Sequence, residues 1–164
     1  MATRKKTRAR TKTARAAKRP PRRASKTPRA RTPQGLTLSS VAPSLTVDDL
    51  EKSIAWYRDV LGLVVTDRWE YEGKLMGVEM RAGGVTFMLG QDDWKKGRDR
   101  VKGEGFRLYC ETNQDVDRLA EQIKARGGTL AQEPRDESWG ARVLSVEDPD
   151  GFKISISKMQ QRGR

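Results

Sequence analysis

From Leu36 onward, apolar and polar residues alternate in short runs, and the period of the pattern changes along the chain. Val41, Pro43, Leu45 and Val47 alternate with Ala42, Ser44 and Thr46, the two-residue period of a strand with one apolar face. Asp48-Asp49 then precedes Leu50, Ile54, Tyr57, Val60 and Leu61 at helical spacing, so the aspartates predict an N-cap and Gly62 predicts the stop. Three more strands are expected over Leu63–Glu72, Leu75–Ala82 and Val85–Gly90, separated by turns at Glu72-Gly73 and Gly83-Gly84. The order is βαβββ.

The second half repeats it. Arg107–Thr112 alternates with Leu108 and Cys110 on its apolar side; Asp115 caps a helix through Val116, Leu119, Ile123 and Lys124; Gly127-Gly128 ends that helix. Strands near Thr129–Gln132, Arg142–Glu147 and Phe152–Ser157 complete the unit, and Gly84–Leu89 lies over Gly151–Ile156 residue for residue. A repeat of about 65 residues built from βαβββ predicts an α+β fold of two such modules, with helices near 49–61 and 115–126. Residues 36–164 are expected to form one domain, long enough for a core and too short for two independent ones.

Charge separates this domain from what precedes it. Residues 1–35 hold 14 of the 34 Lys+Arg and none of the 22 Asp+Glu, which leaves 20 basic and 22 acidic residues, a net −2, in the remainder. With prolines at 20, 21, 28 and 33 and no large apolar side chain after Met1, the segment is expected to be a disordered basic arm. Its readings are a non-specific nucleic-acid or polyanion partner, a solubilising tail, and a transit peptide, against which stand a single serine, Ser25, and the lack of an amphipathic apolar face. No aromatic is interleaved to stack on bases.

The sequence has no histidine, which removes Ser-His-Asp and Cys-His hydrolysis, His-ligated zinc and the two-His-one-carboxylate iron site. Cys110 is the sole cysteine, and with no leader-like or membrane-spanning apolar stretch the expectation is a cytoplasmic protein without disulfides. Beside Leu108 on the apolar side, Cys110 reads as a packed thiol.

The strings SLTVDDLEKSIAWYRDVLGLVV (44–65) and SVEDPDGFKISI (145–156) resemble the vicinal oxygen chelate superfamily of glyoxalases, bleomycin-resistance proteins and extradiol dioxygenases. The resemblance covers about residues 38–158 and lies nearest the bleomycin-resistance type, through Val41-Ala42-Pro43 and Trp139-Gly140. It implies a half-open barrel whose concave faces enclose a pocket, and a homodimer. Family enzymes hold a metal on inward-facing strand positions, which correspond here to Ala42, Met88, Arg107 and Ser155. None is a plausible divalent-metal ligand, so no metal and no cofactor are expected.

Alternation aims Ser44, Thr46, Thr86 and Met88 of the first module and Arg107, Tyr109, Glu111, Lys153 and Ser155 of the second toward that pocket. Trp69, Tyr71, Trp94 and Trp139 fall at strand ends or in loops, where they either cover the cleft or complete a dimer interface. If there is chemistry, Glu111, Glu79 and Tyr109 are the candidates for proton transfer. The DPDG segment (148–151) reads first as a turn. The leading expectation is a metal-independent small-molecule binder that sequesters an aromatic or cationic ligand such as an antibiotic. The alternatives are a glyoxalase-like lyase or isomerase and a nucleic-acid-associated accessory protein.

Overall fold

The computed structural model describes residue 36 and residues 38–160, so the basic arm lies outside the described residues. The first module comprises β1 (Ser44–Val47), α1 (Leu50–Asp59), β2 (Val64–Tyr71), β3 (Lys74–Ala82) and β4 (Val85–Gln91). The second comprises β5 (Arg107–Glu111), α2 (Val116–Ala125), β6 (Leu130–Asp136), β7 (Ala141–Glu147) and β8 (Lys153–Met159). Each module is one four-stranded sheet, ordered β1-β4-β3-β2 and β5-β8-β7-β6, with its first strand parallel to its last. Neither sheet closes on itself. No helix among the described residues is long and apolar enough to cross a membrane.

Both helices start where an aspartate can accept an orphan amide: Asp49 accepts from the Lys52 N–H and Asp115 from the Arg118 N–H, each at 3.0 Å. Both stop where a glycine takes a left-handed φ, Gly62 at 81° and Gly127 at 83°. Most strand boundaries lie within one or two residues of expectation, and those of β1 and β6 differ by more. β1 begins at Ser44, leaving Val41 exposed, because Pro43 has no N–H with which to extend the ladder against β4. β6 runs on to Asp136 through Pro134, since β6 is an edge strand of its sheet and its ladder is irregular between Gln132 and Arg135.

One hydrophobic core serves both modules. Leu45, Val47, Phe87 and Leu89 of the first sheet and Leu144, Val146 and Ile154 of the second join Ile54 and Tyr57 of α1 and Val116, Ala120 and Ile123 of α2. Polar contacts reinforce the junction. The Asp48 N–H donates to Asp150 Oδ1 at 2.7 Å and the Ser53 hydroxyl to Asp150 Oδ2 at 3.2 Å, fastening the start of α1 to the DPDG turn 97 residues or more away.

The connector between β4 and β5 is fastened at the same place. Lys102, its side chain 5% exposed, brings its ammonium to Asp48, to Asp92 Oδ2 at 3.0 Å and to Asp150 Oδ1 at 3.7 Å, while Arg100 donates to Asp92 at 2.6 Å. Burial lowers the affinity of Lys102 for its proton, but hydrogen bonds to Asp48 and Asp92 outweigh it and the pKa is raised. Gly103, at φ 70°, lies so close to the DPDG turn that a Cβ would stand 2.1 Å from the Gly151 carbonyl oxygen.

Candidate functional site

Alternation gives each sheet one face against its helix and one face turned away from it, which in the second sheet is open along β5 and covered along β7 and β8, where Ala141, Val143, Ser145, Ser155 and Ser157 are buried. In the first sheet Leu45, Val47, Val78, Met80, Phe87 and Leu89 are buried, so Ser44, Thr46, Glu79, Thr86 and Met88 occupy the open side. Register places Ser44 beside Met88 and Met88 beside Glu79. Glu79 Oε1 accepts from the Thr66 hydroxyl at 2.8 Å, with the Arg81 guanidinium 3.7 Å away. Trp69 pairs with Gly77 and lays its ring over it: a Cβ on Gly77 would stand 2.8 Å from the indole. The glycine thus provides the space that holds this tryptophan flat against the sheet, 40% exposed.

In the second sheet Ile154, Leu144 and Val146 face the core, and Arg107, Tyr109, Ser155 and Ser145 share the other side. Tyr109, Ser155 and Ser145 form one cross-strand row, with Tyr109 50% exposed and the two serines buried. Arg107 Nη1 donates to Ser155 Oγ at 3.1 Å, and Ser155 Oγ lies 3.0 Å from Ser145 Oγ. Glu111 is exposed at the far end of β5. Ser145 was not singled out in the sequence, although alternation along β7 puts it opposite Ser155.

The expected site residues therefore divide between two sheets. Ser44, Thr46, Glu79, Met88 and Trp69 belong to the first face, and Arg107, Tyr109, Glu111 and Ser155 to the second, so the three proton-transfer candidates do not share one sheet. Tyr71 is exposed at the end of β2, and Trp139 stands 52% exposed just before β7. Trp94 lies in the connector, with Arg98 4.5 Å and the Lys102 ammonium 5.2 Å from its ring centroid. Cys110 is packed against the core, and burial raises its thiol pKa.

At the four positions that the resemblance assigns to a metal site, the groups present are a methyl group at Ala42, a thioether at Met88, a guanidinium at Arg107 and a hydroxyl at Ser155. That set does not fit a divalent cation: it offers no carboxylate or imidazole, and it includes a fixed positive charge. Among the described residues no group of three or more Cys, Asp or Glu side chains converges as a metal site.

Two concavities lie off the open faces. One of about 660 Å3 runs past Asp117, Arg142 and Lys158, and one of about 520 Å3 sits between the modules, walled by Leu61, Phe87, Cys110, Leu119 and Ile156. Of the expected site residues only Glu111 lines either.

Comparison with known proteins bears on this arrangement. Residues 37–156 match the family model described as the Glyoxalase/Bleomycin resistance protein/Dioxygenase superfamily. A lactoylglutathione lyase of Neisseria meningitidis is 30% identical over 117 residues, 68% of this chain and 84% of that protein. A lactoylglutathione lyase of Arabidopsis thaliana is 27% identical over 116 residues, and there the match spans 40% of the relative's length. Among solved structures, a glyoxalase/bleomycin resistance protein/dioxygenase from Nocardioides superimposes with a TM-score of 0.62 at 19% identity, over 80% of this chain and 90% of that one.

Proposed function

Because the chain belongs to the Glyoxalase/Bleomycin resistance protein/Dioxygenase superfamily, we propose that it is a metal-independent binder of a small aromatic molecule, held between the open faces of two subunits of a homodimer. The observation that carries this reading is the donor set: where the resemblance implies hard metal ligands, this chain has Ala42, Met88, Arg107 and Ser155. What the faces offer instead is aromatic surface, Trp69 on β2 and Tyr109 on β5, with Trp139 exposed in the turn before β7, each about half exposed. Such rings anchor an apolar ligand once water is excluded. A single chain supplies one wall per face, and a second copy supplies the other. Sequestration, of the kind associated with bleomycin resistance, requires no further chemistry.

A lyase reading draws on the names of the relatives, lactoylglutathione lyases at 27–30% identity. One experiment separates the two. Purified protein is assayed for bound zinc, nickel and iron, for isomerisation of a methylglyoxal–glutathione hemithioacetal, and for thermal stabilisation by a panel of aromatic compounds with and without chelator. Stabilisation that survives chelator, without turnover, supports binding. Stoichiometric metal with chelator-sensitive turnover establishes the lyase and overturns the assignment of Ala42, Met88, Arg107 and Ser155.

We further propose that residues 1–35 hold the protein to a polyanion. The support is compositional, 14 basic residues and no acidic one beside a domain of net −2.

A further inference from the structure

We infer that the open face of the second sheet is built to take an aryl carboxylate, with Arg107 as the anchor for its anionic group. This rests on the reading of that face as a ligand site and adds the charge of the ligand.

The argument begins with what holds Arg107. Its Nη1 donates to Ser155 Oγ (3.1 Å), which lies 3.0 Å from Ser145 Oγ, and these serines are 2% and 5% exposed. A guanidinium has five N–H donors and no acceptor, so Ser155 must accept from it; the Ser155 proton is then free to point on to Ser145. The buried hydroxyl pair thus fixes one corner of the fork and leaves the other donors unassigned. Among the described residues no carboxylate lies within 4.0 Å of Arg107, as for Arg68, Arg98, Arg118 and Arg126 and unlike Arg58, Arg81, Arg100, Arg135 and Arg142; what sets Arg107 apart is its bond to a buried serine on the strand face it shares with Tyr109.

The neighbouring charges do not cancel it. Register places Lys153 beside Arg107, and Glu147 beside Lys153, which leaves this end of the face with a net positive charge. Glu111 lies four residues along β5, roughly 13 Å away at strand rise. Tyr109 shares the face two residues from Arg107, about 7 Å along the strand, and is half exposed. A planar carboxylate matches the guanidinium fork in two parallel hydrogen bonds, and a ring attached to it reaches the tyrosine.

The test uses three isosteric probes, 2-naphthoate, 2-naphthamide and 2-naphthylmethylammonium, titrated calorimetrically into the full chain and into Arg107→Gln and Arg107→Lys. The naphthoate is expected to bind at least tenfold tighter than the amide, with the cation weakest. In R107Q the carboxylate-to-amide ratio is expected to fall to about one; in R107K, which keeps the charge and loses the fork, it falls part of the way. Thermal melts of each variant report folding independently. Equal or better binding of the amide or the cation overturns the inference while leaving an aromatic site standing, as does a ratio unchanged in R107Q. Failure of all three probes removes the ligand reading of the face together with the inference.

Discussion

The Tyr57 hydroxyl donates to Asp148 Oδ2 at 2.9 Å across a buried contact, joining the last turn of α1 in one module to the DPDG turn of the other. Asp148 Oδ1 meanwhile accepts the amides of Asp150 and Phe152 at 3.0 and 2.8 Å, so one carboxylate shapes the turn with one oxygen and holds the partner module with the other. Tyr57→Phe keeps the ring packing and orphans only that second oxygen. The expected loss is about 1–3 kcal/mol of stability, read from urea midpoints at unchanged m. A loss below about 0.5 kcal/mol would show that the contact is incidental.

Asp148 and Asp92 are expected to respond to pH with opposite signs. Burial raises the Asp148 pKa, against the lowering effect of its amide and Tyr57 hydrogen bonds, so between its unfolded and folded values the native state binds more protons. That contribution to stability falls as pH rises through the window above about 4. Asp92 is held at about 2 by the Trp94 amide and then by Lys102 and Arg100. Its contribution is complete above about 4 and is lost as pH falls toward 2. Urea midpoints from pH 2.5 to 6, a range of about 3.5 units, should therefore show a shallower acid decline in Asp92→Asn than in the native chain, and a steeper one in Asp148→Asn. Parallel curves for all three proteins would count against both assignments.

Much of this fold was legible because its signals are local. Asp49 and Asp115 cap helices three residues ahead of the amides they bind, and glycines 62 and 127 stop them, so helix limits follow from short strings. The two faces of each sheet follow from period two, which is why Ser44 and Met88, or Tyr109 and Ser155, were placed together before register was known. What escaped is long-range and polar. In the sequence Asp48 has a cap role and Asp150 a turn role, and neither is related to Asp92 or Lys102; only the folded chain gathers the three aspartates around one buried ammonium. Nor does a loop aromatic carry a direction in the sequence: the neighbours of Trp94, Arg98 and Lys102 of its own connector, appear only in the fold.

That cluster supplies a prediction about the connector. Lys102→Met removes the cation from among half-exposed Asp48 and buried Asp92 and Asp150; Asp92 keeps Arg100, so the expected cost lies toward the lower end of the about 3–5 kcal/mol of a broken buried pair. Gly103→Ala attacks the same strap by shape, since its Cβ would enter the Gly151 carbonyl and its φ of 70° is unfavourable for alanine. Each is expected to lower the melting temperature by several degrees and to open the segment 92–106 to hydrogen exchange. Native-like exchange there in both variants would mean that the strap holds without them.

The arm and the domain are expected to be separable in function. If residues 1–35 bind polyanions, their deletion should abolish retention on DNA or RNA at low salt, because what remains carries a net −2 and repels phosphate. In the full chain the logarithm of affinity should fall linearly with the logarithm of salt, as counterion release requires, with no preference among sequences, since no aromatic in the arm can stack on a base. Deletion should leave the affinity for 2-naphthoate unchanged, because Arg107, Tyr109 and Ser155 all lie in the domain. Retention of nucleic acid by the truncated chain would move the polyanion site onto the domain and end the tether proposal.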